Sequence, residues 1–374
     1  MRVLIVTEIP APFRIPLFNA LAAEPGVDLR VCFLAEHDPR RSYRVYREEF
    51  AFDEVVLPGW SVRRRGRWIM LNRGVFRLFR DVRPDVVVVG GWNQPAFWQV
   101  LAAAGVSRIP ALLWVESTSS DARAGSAAAG GLRRLALRLS TGFVVPGVAS
   151  RAYLRRLGVA DERIVDAPNA VDVGIFAEQV AAARSQLAAL REQLGLDGCV
   201  FLYVGRLEPE KGVDVLLGAM RDVAARLVVI GSGSLESELR AAAGDGVRFV
   251  GQLTRDELVP WVAAADALVL PSRSEPWGMV LNEGAAAGLP LVGTVAAGAA
   301  HDLIEPGGNG FRVPADDERA LAEALRALAT DDELRRTFGE RSRELSERFR
   351  PDDWARAVAS ASAAARRAAP RSAG

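Results

Sequence analysis

Short runs in which every residue is apolar recur along this chain: Val3–Val6, Val86–Val89, Ala111–Val115, Phe201–Val204, Leu227–Ile230 and Ala267–Leu270. A strand without polar alternation needs cover on both faces, and a parallel sheet flanked by helices supplies it. Helical stretches and loops bearing glycine or proline separate the runs, giving the β-loop-α rhythm of doubly wound α/β domains. Ligands of such domains bind beyond the C-terminal ends of the strands, so the loops after these runs are where chemistry is expected. At 374 residues the chain is too long for one ordinary core and predicts two domains.

The formal charge of +1 carries no global argument for nucleic acid or a membrane, so any basic surface must be local. Cys32 and Cys199 flank apolar segments far apart in sequence and read as reduced core thiols. Met1–Thr7 is too short an apolar run for a signal peptide, and nothing approaches the ~18 consecutive apolar residues of a membrane span. A cytoplasmic protein is expected, with peripheral attachment to the inner face of a membrane left open.

After the run ending at Pro271 comes Ser272-Arg-Ser-Glu-Pro-Trp-Gly-Met-Val-Leu-Asn-Glu283, a loop leading into a helix from Met279 that Gly288-Leu-Pro290 stops. A glycine at a helix start leaves the first N–H groups open to an anion. Glu275 in the loop and Glu283 in the helix can face one ligand from different heights; equally, they read as a cap and a solvated charge. Gly205-Arg-Leu-Glu-Pro-Glu-Lys-Gly212 follows another run, and its Arg206 and Lys211 can hold a diphosphate or stand as surface charges.

Glu275-x7-Glu283, with Gly278 three residues past the first Glu, resembles the signature of retaining GT-B glycosyltransferases of the family-4 type (group 1). Gly205-Arg-Leu with Lys211-Gly is similar to the motif whose two basic residues hold the nucleotide diphosphate in that family. Pro168-Asn-Ala-Val-Asp172 resembles its domain-junction segment, with Ala170 where glycine is usual. The resemblance implies two Rossmann-like doubly wound domains facing a central cleft. Residues 1–172 would bind the acceptor and 173–350 the nucleotide sugar; 351–367 would form a helix crossing back to the first domain, and 368–374 a disordered tail. It further implies that Glu275 contacts sugar hydroxyls and Glu283 the ribose. Gly231 and Gly233 would lie by the phosphates and nucleoside, Leu253 by the base, and the N–H groups at Gly278, Met279 and Val280 by the leaving phosphate. No Asp-x-Asp loop appears, so no metal and no cofactor beyond the nucleotide-diphosphate sugar donor is expected.

In the first half, the loop Glu8–Pro16 has prolines where related enzymes carry glycines, leaving Glu8, Phe13 and Arg14 as candidate acceptor contacts. Phe13 as core and Arg14 as a surface charge is the plainer alternative. Gly90-Gly-Trp-Asn-Gln94 adds Trp92 and Asn93. After Val115 the family often has a histidine; this chain offers Glu116, a carboxylate able to serve as acceptor base. His37 and His301 have no third ligand at metal spacing.

Between Trp60 and Arg80 arginines interleave with aromatic residues and no acid intervenes. From Met70 onward the apolar residues recur at helical spacing, predicting a basic amphipathic segment that fits an anionic membrane surface or a phosphorylated acceptor, or else an ordinary surface helix. No recognised nucleic-acid motif accompanies it. The chain therefore reads as a hexosyltransferase whose acceptor is lipid-linked, a surface-polysaccharide precursor or a soluble small molecule. An epimerase or hydrolase of the same fold is the alternative. A sugar-nucleotide binder without activity is disfavoured because both Arg206 and Glu275 are present, and a dehydrogenase because neither half opens with Gly-x-Gly-x-x-Gly.

Overall fold

The computed structural model describes residues 1–37, 45–64, 67–120 and 127–369. The chain divides into two compact units, one gathering Met1–Ser119, the stretch ending at Asn169 and the chain from Pro351 onward, the other holding Ala170–Arg350.

The first unit is built on a seven-stranded parallel sheet in the order β3-β2-β1-β6-β7-β8-β9. Its strands are β1 (Arg2–Thr7), β2 (Asp28–Phe33), β3 (Asp53–Val56), β6 (Val86–Val89), β7 (Ala111–Trp114), β8 (Gly142–Val145) and β9 (Ile164–Asp166); β4 (Gly59–Arg64) and β5 (Arg67–Asn72) pair as a separate antiparallel hairpin. Helices α1 (Ile15–Ala23), α2 (Val75–Val82), α3 (Pro95–Ser107), α4 (Ala127–Leu139) and α5 (Val148–Arg156) connect the strands. All four valines of β6 are fully buried, as a strand covered on both faces requires. The sheet reverses direction of winding between β1 and β6, so the loops after these two strands part at its edge.

The second unit carries β10 (Val200–Val204), β11 (Arg226–Ile230), β12 (Val247–Gly251), β13 (Ala267–Leu270), β14 (Leu291–Thr294) and β15 (Gly310–Val313) in the parallel order β12-β11-β10-β13-β14-β15. Its switch point lies between β10 and β13. The helices are α6 (Val173–Arg184), α7 (Leu187–Leu194), α8 (Val213–Met220), α9 (Glu236–Ala242), α10 (Arg255–Ala264), α11 (Met279–Ala286), α12 (Ala300–Leu303), α13 (Glu318–Thr330) and α14 (Asp332–Ser346). The last helix, α15 (Pro351–Ala368), packs with the first unit. Its Trp354 is wholly buried, 5.2 Å from the Trp114 ring and 6.0 Å from the Phe18 ring. The topology is that of the GT-B fold expected from the sequence.

Local expectations differ at several points. Met70 and Leu71 lie in a strand, not at the start of a helix. The alternation Trp68-Met70-Asn72 turns Met70 and Asn72 inward, and the Met70 N–H donates to Gln94 Oε1 at 2.9 Å, so the helix begins only at Val75. The helical stretch ahead of β10 is two helices, α6 and α7. Ser185 at their junction donates its hydroxyl to the Ala182 carbonyl (2.7 Å), competing with helix continuation. Pro16, read as loop, occupies the first turn of α1, where a missing N–H costs nothing. Positions 121–126 lie outside the described residues, and α4 begins at Ala127. Arg65, the side chain of Arg67 and tail residues 370–374 are also outside them. Both cysteines are free and buried, and burial pushes the Cys32 thiol up to about 12 and Cys199 to about 11.

Candidate functional site

In the second unit, the loops after β10, β11, β13 and β14 emerge at one edge of a parallel sheet and carry the residues singled out for the donor. Lys211, at the end of a short 3-10 turn after β10, donates to the Glu275 carboxylate after β13; both side chains retain only 14% of their accessible surface. Such a pair keeps either charge from being buried alone. Arg206 is more open, and its guanidinium donates to Glu210 Oε1 at 2.7 Å. Gly231 (φ +138°) passes so close to the Gly205 carbonyl that a Cβ would collide with it. Gly233 in turn lies against the Leu207 backbone, where a Cβ would also collide, and the Leu207 N–H donates to the Ser232 carbonyl at 2.9 Å. Leu253, just past β12, is partly exposed.

Gly278 (φ +103°) caps α11 in the left-handed region, where a Cβ would press on Leu270. The N–H groups of Met279 and Val280 therefore head a helix with no side-chain cap. The preceding loop is stitched to the one after β14: the Gly298 N–H donates to the Glu275 carbonyl (3.0 Å) and the Ala299 N–H to that of Trp277 (2.9 Å). One turn into α11, Glu283 keeps a narrow accessible face, and its carboxylate accepts no hydrogen bond or ion pair from the described residues. Burial pushes its carboxyl up to about 7.

Two groups in this region escaped the sequence reading. Arg273 grips Asp214 through both terminal nitrogens (2.7 and 2.6 Å) and Asp316 through Nε (2.5 Å), holding the motif loop to the start of α8. Glu210 supports the same loop through its carbonyl, which accepts from the N–H groups of Arg273 (2.9 Å) and Ser274 (3.2 Å). An arginine beside the motif glutamate carried the only sequence signal.

In the first unit, the switch-point loops meet. Glu8 Oε1 accepts from Asn93 Nδ2 (2.6 Å) and Gln94 Nε2 (2.9 Å), joining the loops after β1 and β6. Trp92 is half-buried and gives its carbonyl to the Trp98 indole N–H (2.9 Å). Arg14 is not a loose surface charge. It lies 4.5 Å from the Trp114 ring and 5.8 Å from the Phe13 ring, and donates to Thr7 Oγ1 (2.5 Å) and Glu116 Oε2 (3.1 Å). Phe13 is partly exposed and absent from the buried core. Glu116 also accepts from Asn169 Nδ2 at 3.0 Å, so its carboxylate is fixed from two sides. His301 bonds the Val295 carbonyl through Nε2 at 2.9 Å. Among the described residues no group of three or more His, Cys, Asp or Glu is placed to hold a metal ion.

A family model described as Glycosyl transferases group 1 matches residues 198–331, and one described as Glycosyltransferase Family 4 matches residues 17–174. The chain is 34% identical over 218 residues to a D-inositol 3-phosphate glycosyltransferase of Xylanimonas cellulosilytica, covering 55% of this chain and 52% of that protein. It thus spans about half the length of that relative. It is 31% identical to a phosphatidyl-myo-inositol mannosyltransferase of Mycolicibacterium smegmatis, over 72% of this chain and 68% of the relative. Its fold is similar to that of Anabaena HepE, solved in complex with UDP and glucose, with a TM-score of 0.77 and 19% identity over 97% of this chain and 100% of that one. The chain belongs to the group 1, family 4 glycosyltransferases of GT-B fold.

Proposed function

We propose that the chain transfers a sugar from a nucleoside-diphosphate sugar to an acceptor hydroxyl, with retention at the anomeric carbon and without a metal ion. The bond from the anomeric carbon to the diphosphate oxygen breaks while the acceptor oxygen bonds on the same face. The acceptor proton is taken by a carboxylate on the acceptor side, and the diphosphate departs with the electron pair of the broken bond. Positive charge grows on the sugar and negative charge on the leaving group, and stabilising the latter is the main electrostatic task. The observation that carries this reading is the Lys211–Glu275 pair beside the uncapped start of α11. Lys211, Arg206 and the first N–H groups of α11 offer positive charge and donors to a diphosphate. Glu275 can turn from Lys211 to sugar hydroxyls once phosphate takes its place. Glu283, half-buried and with no side-chain partner among the described residues, is suited to a ribose hydroxyl because it can accept or, when protonated, donate.

Glu116 stands as the acceptor-side base, with Glu8, Phe13, Arg14, Trp92 and Asn93 as acceptor contacts. The acceptor is proposed to be lipid-linked or a precursor of a surface polysaccharide, a reading supported by the lipid-inositol substrate in the name of the mycobacterial relative. Because HepE was solved with UDP, uridine nucleotides are the first donors to test. Thermal unfolding with nucleoside diphosphates and their sugars, with magnesium or with chelator, reads donor binding by mass action. Stabilisation by one nucleotide series in chelator supports the reading. A flat response from folded protein overturns the donor site.

A further inference from the structure

The hairpin β4–β5 and helices α2, α3 and α4 lie side by side on one face of the first unit's sheet, sharing a core that runs from Met70 through Phe79 and Phe97 to Leu137. In these segments every charged residue is an arginine apart from Asp81. The outer face of the hairpin pairs Trp60 with Leu71 and Val62 with Ile69, ending at Arg64. Trp60 stays 54% exposed and Phe76 on α2 60% exposed, while Leu132, Leu135 and Leu139 form an exposed stripe on α4. Outside this layer only Val148 and Val295 are large, apolar and exposed among the described residues.

We infer that this layer docks on an anionic lipid surface. Arg77 and Arg80 reach Asp81 at 3.3 Å, and Arg73 lies 5.7 Å from the Trp60 ring. Arg63, Arg64, Arg134 and Arg138 have no carboxylate partner among the described residues. A second copy of the chain would bring like charges face to face, and a nucleic acid would leave the leucines and Phe76 in water. A bilayer uses both features: phosphate headgroups take the guanidinium groups, while tryptophan, phenylalanine and leucine enter the headgroup boundary. The inference concerns binding alone and stands apart from the transfer reaction.

The test is co-sedimentation of the full chain with phosphatidylcholine vesicles, with or without phosphatidylglycerol, over a range of salt. Binding is expected only to the anionic vesicles and should weaken as salt rises. Arg64→Glu with Arg134→Glu should weaken it at least about tenfold. Trp60→Ser with Leu135→Ser should weaken vesicle binding yet leave retention on heparin unchanged. All four side chains are exposed, so melting temperatures should match the parent. No binding to phosphatidylglycerol vesicles, or unchanged affinity in either variant, overturns the inference. Capture of single-stranded RNA without vesicle binding would assign the surface to nucleic acid instead.

Discussion

Lys211 and Glu275, 64 positions apart in the chain, share one ion pair that ties the loop after β10 to the loop after β13. Among the described residues each is the other's only ion-pair partner in a largely buried setting, so the pair is structural as well as placed for chemistry. Lys211→Ala should therefore lower turnover at least about a hundredfold. It should also cost roughly 2–3 kcal/mol of stability, because Glu275 is left without its counter-ion. Lys211→Met with Glu275→Gln should recover most of the stability and none of the turnover. Thermal melts beside initial rates separate the two effects, and normal turnover in Lys211→Ala would sink the phosphate assignment.

Arg206 is half exposed and its partner Glu210 is similarly open, so their ion pair should contribute under about 1 kcal/mol. Arg206→Ala is expected to melt with the parent while binding nucleoside diphosphate about ten- to a hundredfold more weakly. Calorimetric titration with the diphosphate is the measurement. Equal affinity would remove Arg206 from the site.

Burial raises the folded-state pKa of Glu283 from 4.5 to about 7, so the folded chain holds this proton more tightly than the unfolded chain. The stability this gives is complete below pH 4.5 and is lost as pH rises through about 7. Glu283→Gln removes the cost of burying the charge and should stabilise the protein at pH 8, by at most about 3 kcal/mol. Its melting temperature should vary less between pH 4.5 and 7 than the parent's. Nucleotide affinity should fall in the same variant. A pH series of melts checks both the sign and the window.

Glu116 is clamped by Arg14 and Asn169, which orients its carboxylate. If it takes the acceptor proton, Glu116→Gln should lower kcat about a hundredfold or more with donor KM unchanged. A rise in acceptor KM alone would make it a binding group.

The parallel strands were legible because Val86–Val89 and Ala267–Leu270 are apolar at every position, a pattern set by burial on both faces. β3, β9 and β15 were not. Asp53–Val56 and Ile164–Asp166 begin or end in an acid, and Gly310–Val313 contains an arginine, so each looks like loop until a neighbouring strand pairs with it. The hairpin was misread because Leu71, Val75 and Leu78 keep helical spacing across a strand, a turn and a helix. Around the site, Glu275, Glu283, Arg206 and Lys211 stood out through motif spacing. The Arg273 clamp did not, because Asp214 and Asp316 lie 59 and 43 positions away and only the fold assembles them.

Trp354 packs against both Phe18 and Trp114, yet the chain between them in sequence runs through Ala170–Arg350 of the other unit. On a ribosome the first unit must therefore wait with an apolar socket open while the second is made, roughly ten seconds or longer. The second unit, continuous in sequence, is free to close first. Until Trp354 is made, the nascent N-terminal half presents the apolar surface that a chaperone would cover.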